Sequence, residues 1–148
     1  MSYTETVGKK LNNLLEKTYD AEKGFKKAAE HAKSPDLKNY FLKKSTERTS
    51  FGHDLKNEIM NYGQAVEKGG STAGTMHRSW MDVKAFFSAD NDESMLEEAI
   101  TGEKAAVNEY KDVLKETNLP PSTEVLLQQQ LNKISTGLGT IKRLEDIA

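Results

Sequence analysis

Four long segments of the sequence carry apolar residues at the three- and four-residue spacing of one α-helix face, and this periodicity restricts the fold more than any other feature. The first two stripes are Leu11, Leu15, Thr18, Glu22, Phe25 and Ala29, then Leu37, Phe41, Lys44, Arg48, Phe51, Leu55, Ile59 and Tyr62. The last two are Leu96, Ile100, Glu103, Val107, Tyr110 and Leu114, then Leu127, Leu131, Ile134, Leu138, Ile141 and Leu144. No segment alternates with the period of a strand, so the sequence predicts an all-α protein.

Prolines and one glycine-rich loop indicate where the helices begin and end. Ser34-Pro35 offers an N-cap followed by proline at the first helical position, and Pro120-Pro121 repeats the signal. The loop "EKGGSTAGT" separates the second long helix from a shorter one. The predicted helices span residues 5–32, 35 to about 66, about 73 to 87, about 93 to 117, and about 123 to 147.

The connections between these helices predict the topology. Short turns after the first and third long helices fold each of them back against the next, which gives two antiparallel hairpins. The connection between the hairpins is long and contains the short fifth helix. Two hairpins joined by one long crossover form the ferritin-like type of four-helix bundle. With 148 residues, the sequence predicts a single domain over residues 1–148.

Composition excludes several classes of protein. The formal net charge is −2, from 21 basic and 23 acidic residues. That balance gives no electrostatic attraction to nucleic acid or to an anionic membrane. The sequence has no cysteine, and it shows neither an apolar signal segment nor a run of membrane-spanning length. We therefore expect a cytoplasmic protein without nucleic-acid or membrane partners.

Two acidic residues interrupt the apolar stripes. The first helix contains "DAEKGFKKAAEH" and the third "TGEKAAVNEYKD", so a Glu-Lys pair falls at the same phase of both stripes, at Glu22 and Glu103. A carboxylate on an inward face is costly to bury unless it is neutral, paired or bound to a cation. The repeat predicts that Glu22 and Glu103 face each other across the core.

Three segments of the chain resemble a family of small uncharacterised bacterial ferritin-like proteins. They are "GFKKAAEHAKSPDLKNYFLKKSTERTSF", "GGSTAGTMHRSWMDVK" and "GEKAAVNEYKDVL". The order of the segments is preserved, and the likeness covers nearly the whole chain. The resemblance implies a ferritin-like bundle and no established activity.

The wider resemblance to ferritin-like carboxylate proteins implies a set of metal ligands. In those proteins one helix of each hairpin provides a Glu, the other provides Glu-x-x-His, and two metal ions bind between them. By this likeness Glu22 and Glu103 are candidate ligands for iron or manganese, with Glu47 as a third. Ser50 stands where the histidine after Glu47 belongs, and Glu-x-x-His occurs nowhere in the chain.

A core without metal is the other interpretation of the same residues. Lys44 and Arg48 lie on the inward stripe of the second helix, where either could pair with Glu22 or Glu103. A cationic side chain there would take the electrostatic role of the metal. This interpretation requires no cofactor.

His77, Arg78 and Trp80 form the most distinctive cluster outside the bundle helices. They follow the glycine-rich loop, one turn into the short fifth helix. One interpretation is an anion or small-ligand site that uses the free N–H groups of the helix start together with Arg78. The other is that Trp80 packs this helix against the bundle while His77 and Arg78 pair with carboxylates.

These features favour a non-catalytic bundle that acts in protein–protein assembly or in stress physiology. A homodimer is one possible assembly. The sequence does not identify any other protein partner. No nucleophile motif such as Gly-x-Ser-x-Gly is present, so we predict no catalytic residue. The alternative is an iron- or manganese-binding protein with a degenerate di-metal site. A small-ligand binder at His77 is the third hypothesis.

Overall fold

The computed structural model describes residues 3–66, 92–116 and 119–147. Within these ranges the chain forms no strand and has four helices, α1 (Tyr3–His31), α2 (Pro35–Asn61), α3 (Asp92–Glu116) and α4 (Pro121–Ile147). The prediction of an all-α four-helix bundle is confirmed. The short fifth helix predicted at about 73–87 lies outside the described residues. No helix in the described ranges combines the length and the apolar character needed to cross a lipid bilayer.

Two side chains fix the turn between α1 and α2, one from the turn itself and one from α3. The Ser34 hydroxyl accepts a hydrogen bond from the Leu37 N–H at 3.4 Å, and Pro35 occupies the first turn, as predicted. The Asp92 carboxylate accepts from the backbone N–H groups of Lys33 and Ser34, each at 2.9 Å. The first residue of α3 therefore attaches the second hairpin to the turn of the first.

The bundle consists of two hairpins whose helices pack in a closed order. α1 packs along α2, α3 packs along α4, and the hairpins meet through α1–α3 and α2–α4. α1 and α3 are antiparallel, because Asp92 lies at the end of α1 while Lys17 pairs with Glu109 at 3.1 Å further along. α2 and α4 are antiparallel, since Ser122 donates to Glu58 at 2.9 Å. α2 and α3 therefore run in the same direction, and the chain between them connects opposite ends of the bundle.

α2 ends earlier than the sequence predicted. Its last residue is Asn61 rather than Val66, so the predicted boundary is wrong by about one helical turn. The chain leaves the helix through Gly63, whose φ of +68° lies in the left-handed region that favours glycine. The Gly63 N–H donates to the Met60 carbonyl at 2.9 Å. A glycine at this point was the available signal for the helix end.

Two apolar clusters form the core, one at each end of the bundle. The turn-side cluster, near the α1–α2 turn, includes Ala21, Phe25, Ala28, Leu37, Phe41, Met95, Leu96 and Ile141. The far-side cluster includes Leu11, Leu15, Phe51, Leu55, Ile59, Tyr110, Leu127 and Ile134. Burial of each large apolar side chain stabilises the fold by about 1.5–3 kcal/mol. A layer of charged side chains lies between the two clusters.

Candidate functional site

Arg48 is the centre of the charged layer. Its side chain is only 2% exposed, because α2 carries it on the same stripe as the apolar residues Phe41 and Phe51. The guanidinium carbon lies 5.5 Å from the ring centre of Phe25 and 5.4 Å from that of Phe51. Both distances are within the range of cation–π attraction. The guanidinium is therefore held between one ring of the turn-side cluster and one ring of the far-side cluster.

Glu103 meets this guanidinium from the diagonally opposite helix. It lies on α3, it is fully buried, and its Oε1 atom accepts a hydrogen bond from Arg48 Nη2. Its other oxygen, Oε2, is buried and has no hydrogen-bond partner among the described residues. The inward position predicted for Glu103 is confirmed, and so is the prediction that a cation of α2 pairs with it.

Glu47 joins the buried pair to a second cation. Its Oε1 atom accepts from Arg48 Nη1 at 2.9 Å and from Lys44 Nζ at 3.1 Å. Lys44 is also buried, with 6% of its surface exposed, whereas Glu47 is half-buried. The order Lys44, Glu47, Arg48, Glu103 alternates in charge, so each ionised group lies next to a group of opposite sign. This alternation compensates part of the cost of removing the charges from water.

The burial of this layer changes the acidity of its groups. Burial raises the pKa of Glu103 above its ordinary value, while the charges of Arg48 and Lys44 act in the opposite direction. Burial likewise raises the pKa of Tyr40, and the nearby charges of Glu103 and Glu47 raise it further. Tyr40 therefore stays a neutral phenol, and its hydroxyl donates to the Gly137 carbonyl at 3.0 Å.

Gly137 makes room for Lys44 on the α4 side. A Cβ atom at this position would collide with Lys44 Nζ and would lie 2.6 Å from Lys44 Cε. A glycine inside a helix often marks the close approach of another backbone. The structure shows instead that Gly137 accommodates a buried lysine side chain. Around Gly139 no atom of the described chain lies within 4 Å of the corresponding Cβ position.

A second polar group lies two turns from Gly137 along α4. The Tyr110 hydroxyl donates to Gln130 Oε1 at 2.7 Å, and Gln130 Nε2 donates to the Phe51 carbonyl at 3.4 Å. Both side chains are almost completely buried. The amide group of Gln130 therefore satisfies both the Tyr110 hydroxyl and a backbone carbonyl of α2.

Glu22 occupies a different environment from Glu103. It is half-buried at the α1–α2 seam, where its Oε2 atom accepts from the Thr49 hydroxyl at 2.8 Å. Ala21 and Phe25 take the core positions of this part of α1. The prediction that Glu22 points into the core opposite Glu103 is therefore wrong. The steps 18–21–25 and 18–22–25 both fit a helical stripe, and the smaller residue is the one buried.

The structure does not gather the predicted metal ligands into one site. Among the residues that it describes, no group of three or more His, Cys, Asp or Glu side chains could hold a metal ion. Glu47 lies between two cations, Glu103 is bound by Arg48, and Glu22 is at the seam. The described residues therefore do not fit a di-metal centre. His77, Arg78 and Trp80, the candidate anion site, lie outside the described residues.

The sequence patterns and the geometry identify different roles for the same residues. Lys44 and Arg48 were recognisable as inward cations because they fall on the apolar stripe of α2. The role of Glu47 as the acceptor shared by two cations was missed, although its spacing of three residues from Lys44 is the spacing of a helical ion pair. Chemically, the network holds charge at fixed positions between the two apolar clusters of the core.

Comparison with known proteins gives one family match. The model of the family described as "Domain of unknown function (DUF2383)" matches residues 6–116, which include most of α1, all of α2, the connection between the hairpins and α3. The match thus contains Lys44, Glu47, Arg48 and Glu103 and ends before α4. A comparison with curated proteins gives no match.

Proposed function

The chain belongs to the DUF2383 family, and from that premise we propose that it is a non-catalytic bundle of the ferritin-like type, which acts by assembly with a protein partner. The observation that carries this proposal is the buried pair of Arg48 and Glu103. The carboxylate that the ferritin-like resemblance assigns to metal is bound by a side-chain cation of the same chain.

The charge of Arg48 opposes a divalent ion at this place. Two unit charges 4 Å apart repel by about 4 kcal/mol at an effective dielectric constant near 20, and a divalent ion doubles that repulsion. Lys44 adds a second positive charge on the other side of Glu47. A metal bound through Glu103 would therefore have to displace the guanidinium from between the rings of Phe25 and Phe51.

One observation favours the second candidate function, an iron- or manganese-binding protein. The Oε2 atom of Glu103 is buried and lacks a partner within the described ranges, and such an oxygen is a potential ligand. The two functions differ in metal content. Elemental analysis of protein produced in medium supplemented with iron and manganese separates them, with Glu103→Gln as the matched variant.

We expect less than about one metal ion per ten chains, with no difference between the natural protein and Glu103→Gln. A stoichiometric content of iron or manganese that Glu103→Gln loses would overturn the non-catalytic proposal in favour of metal binding. A metal content that survives Glu103→Gln but disappears on Glu22→Gln would equally contradict it, because it would place the metal at the seam.

A second copy of the chain is the partner we propose first. Leu42 and Met60 are 47% and 56% exposed. They lie eighteen residues apart on α2, which is about five helical turns, so both point to the same outward side. In an isologous contact between α2 and the α2 of a second copy, Leu42 of one copy would pack near Met60 of the other.

Light scattering coupled to size-exclusion chromatography tests this assembly. We expect a dimer for the natural protein and a monomer for the double variant Leu42→Glu/Met60→Glu. Val125→Glu is the matched control, because Val125 is equally exposed but lies on α4. A monomer at every protein concentration, or a dimer that the double variant leaves intact, would contradict a homodimer built on this side of α2.

A further inference from the structure

A groove runs between α2 and α4, the two neighbouring helices that pack least closely. It has a volume of about 710 Å³ and is open along one side. That volume lies within the range of about 300–1,000 Å³ that is usual for small-molecule sites. We call it the α2–α4 groove, lined among others by Tyr40, Lys44, Phe51, Lys133, Thr136 and Gly137.

One wall of the α2–α4 groove is apolar and aromatic. The half-buried Tyr40 and the buried Phe51 line it from α2, and on the α4 side Lys44 occupies the space beside Gly137. The stretch from Tyr40 to Phe51 extends over about 16 Å at 1.5 Å per residue. This length and surface suit an apolar body of about ten carbon atoms.

The charged groups of the groove are mainly positive. Lys43, Lys44 and Lys133 line it, and Glu47 is the single acidic residue in the lining. Glu47 is already shared between Lys44 and Arg48. Within the described part of the chain, Lys44 donates only to the two Glu47 oxygens, at 3.1 and 3.4 Å, although an ammonium group has three N–H donors.

The cationic and aromatic groups lie next to each other. Lys133 is exposed at the rim, and its Nζ atom lies 6.0 Å from the ring centre of Phe51. An anionic head group bound by Lys133 would therefore bring an attached apolar chain into the groove near Phe51. The buried Lys44 provides a second cation of the lining, from α2.

We propose that the α2–α4 groove binds a small amphiphile with an anionic head group and an unbranched apolar body, of the class of medium-chain carboxylates. The head group contacts Lys133, and the body extends along the groove toward Tyr40. This site goes beyond the assembly role proposed above and does not depend on it. A second copy is a poor occupant, because a two-fold contact here would bring the exposed lysines of both copies together.

Competition fluorescence tests the site with decanoate as the ligand and 8-anilinonaphthalene-1-sulfonate, an anionic aromatic dye, as the reporter. We expect decanoate to displace the dye from one site per chain and decanol, which has the same chain without charge, to displace it at least about tenfold less well. Equal displacement by decanol and decanoate would overturn the proposal without the use of any variant.

Two matched pairs of surface variants locate the site. Thr136→Trp places a large ring in the groove, whereas Ser135→Trp adds the same ring one residue away, outside the lining. Lys133→Glu reverses a charge of the groove, whereas Lys38→Glu reverses an exposed charge elsewhere on α2. We expect Thr136→Trp to abolish decanoate binding, Lys133→Glu to weaken it by about tenfold, and both controls to retain it.

The remaining outcomes also decide the question. Equal binding by Thr136→Trp and Ser135→Trp would show that the ligand lies elsewhere, and unchanged binding by Lys133→Glu would show that the head group does not use this cation. Sedimentation with anionic phospholipid vesicles distinguishes a soluble carboxylate from a membrane lipid. Binding to such vesicles together with no binding of decanoate would overturn the proposed ligand class.

Discussion

Glu103 on α3 and Glu22 on α1 are both followed by lysine, and both contact the segment of α2 around Arg48, but their environments are opposite. Glu103 is fully buried and bound by the Arg48 guanidinium. Glu22 is half-buried and bound by the hydroxyl of Thr49. The difference teaches that Glu103 is buried where a cation of the other hairpin enters the same space, whereas Glu22 meets a hydroxyl group at the seam.

The largest expected effect comes from removal of that cation. Arg48→Met replaces the guanidinium by an apolar side chain and leaves Glu103 buried without its partner. We expect the free energy of unfolding to fall by about 3–5 kcal/mol, the usual cost of a buried charge that has lost its partner. Urea unfolding followed by circular dichroism measures it.

Lys104→Met is the control for this change, because Lys104 is exposed and adjacent to Glu103 in sequence. The free energy of unfolding of Lys104→Met should lie within about 0.5 kcal/mol of that of the natural protein. If Arg48→Met were as mild as Lys104→Met, the two glutamates would not differ in the way described, and the burial of Glu103 would need another explanation.

The pH dependence of stability gives the next comparison. Burial raises the pKa of Glu103 above its ordinary value of 4.5, so the folded protein binds this proton more tightly than the unfolded chain does. The stability gained from protonation is fully present below pH 4.5 and is lost as the pH rises through the folded pKa.

Urea unfolding of the natural protein and of Glu103→Gln at several pH values checks this sign. The free energy of unfolding of the natural protein, taken relative to that of the variant, should decrease from pH 4.5 to pH 7. An increase over the same range would mean that pairing with Arg48 lowers the pKa of Glu103 more than burial raises it.

Much of the fold could be predicted from the sequence, because its signals are local. The Ser34-Pro35 start of α2 and the proline at the start of α4 are confirmed. Apolar periodicity was sufficient for the number of long helices in the described ranges, and for the inward direction of Lys44 and Arg48. The predicted end of α2 is wrong because it relies on the glycine-rich loop after Val66, whereas the helix already ends before Gly63.

The site was less predictable, because it depends on distances between helices. A stripe containing Thr18 and Phe25 admits either Ala21 or Glu22 at its centre, and only packing against α2 selects Ala21. The α2–α4 groove arises from the loose packing of two helices that are far apart in the sequence. The apolar periodicity of α2 and of α4 carries no information about the distance between the two helices.

The two glycines of α4 provide a comparison in which the expected change in the free energy of unfolding is of intermediate size. Gly137→Ala forces the buried Lys44 away from its place beside Glu47, whereas Gly139→Ala adds a methyl group where the described chain leaves space. We expect Gly139→Ala to stabilise the protein by up to about 1 kcal/mol through helix propensity. Gly137→Ala should be about 1–2 kcal/mol less stable than Gly139→Ala, because an overpacked side chain must move.

Thermal and urea unfolding of the two alanine variants measure this difference. Equal stability of the two would show that Lys44 is free to rearrange. In that case the charged layer around Glu47 would be less rigid than the buried position of Lys44 indicates.

The smallest effect is expected at the seam. Thr49→Val removes the hydroxyl that donates to Glu22 Oε2. Because this contact is open to water, we expect a loss of about 0.5–1 kcal/mol in the free energy of unfolding. A loss as large as that of Arg48→Met would show that Glu22 is as dependent on its partner as Glu103 is.

A double-mutant cycle on Arg48 and Glu103 tests the central claim most directly. The cycle compares unfolding of the natural protein with that of Arg48→Met, Glu103→Leu and the double variant. We predict a coupling free energy of at least about 2 kcal/mol, with the double variant more stable than Arg48→Met alone. A coupling near zero, with the two single effects simply adding, would contradict the claim that the guanidinium is what allows Glu103 to lie in the core.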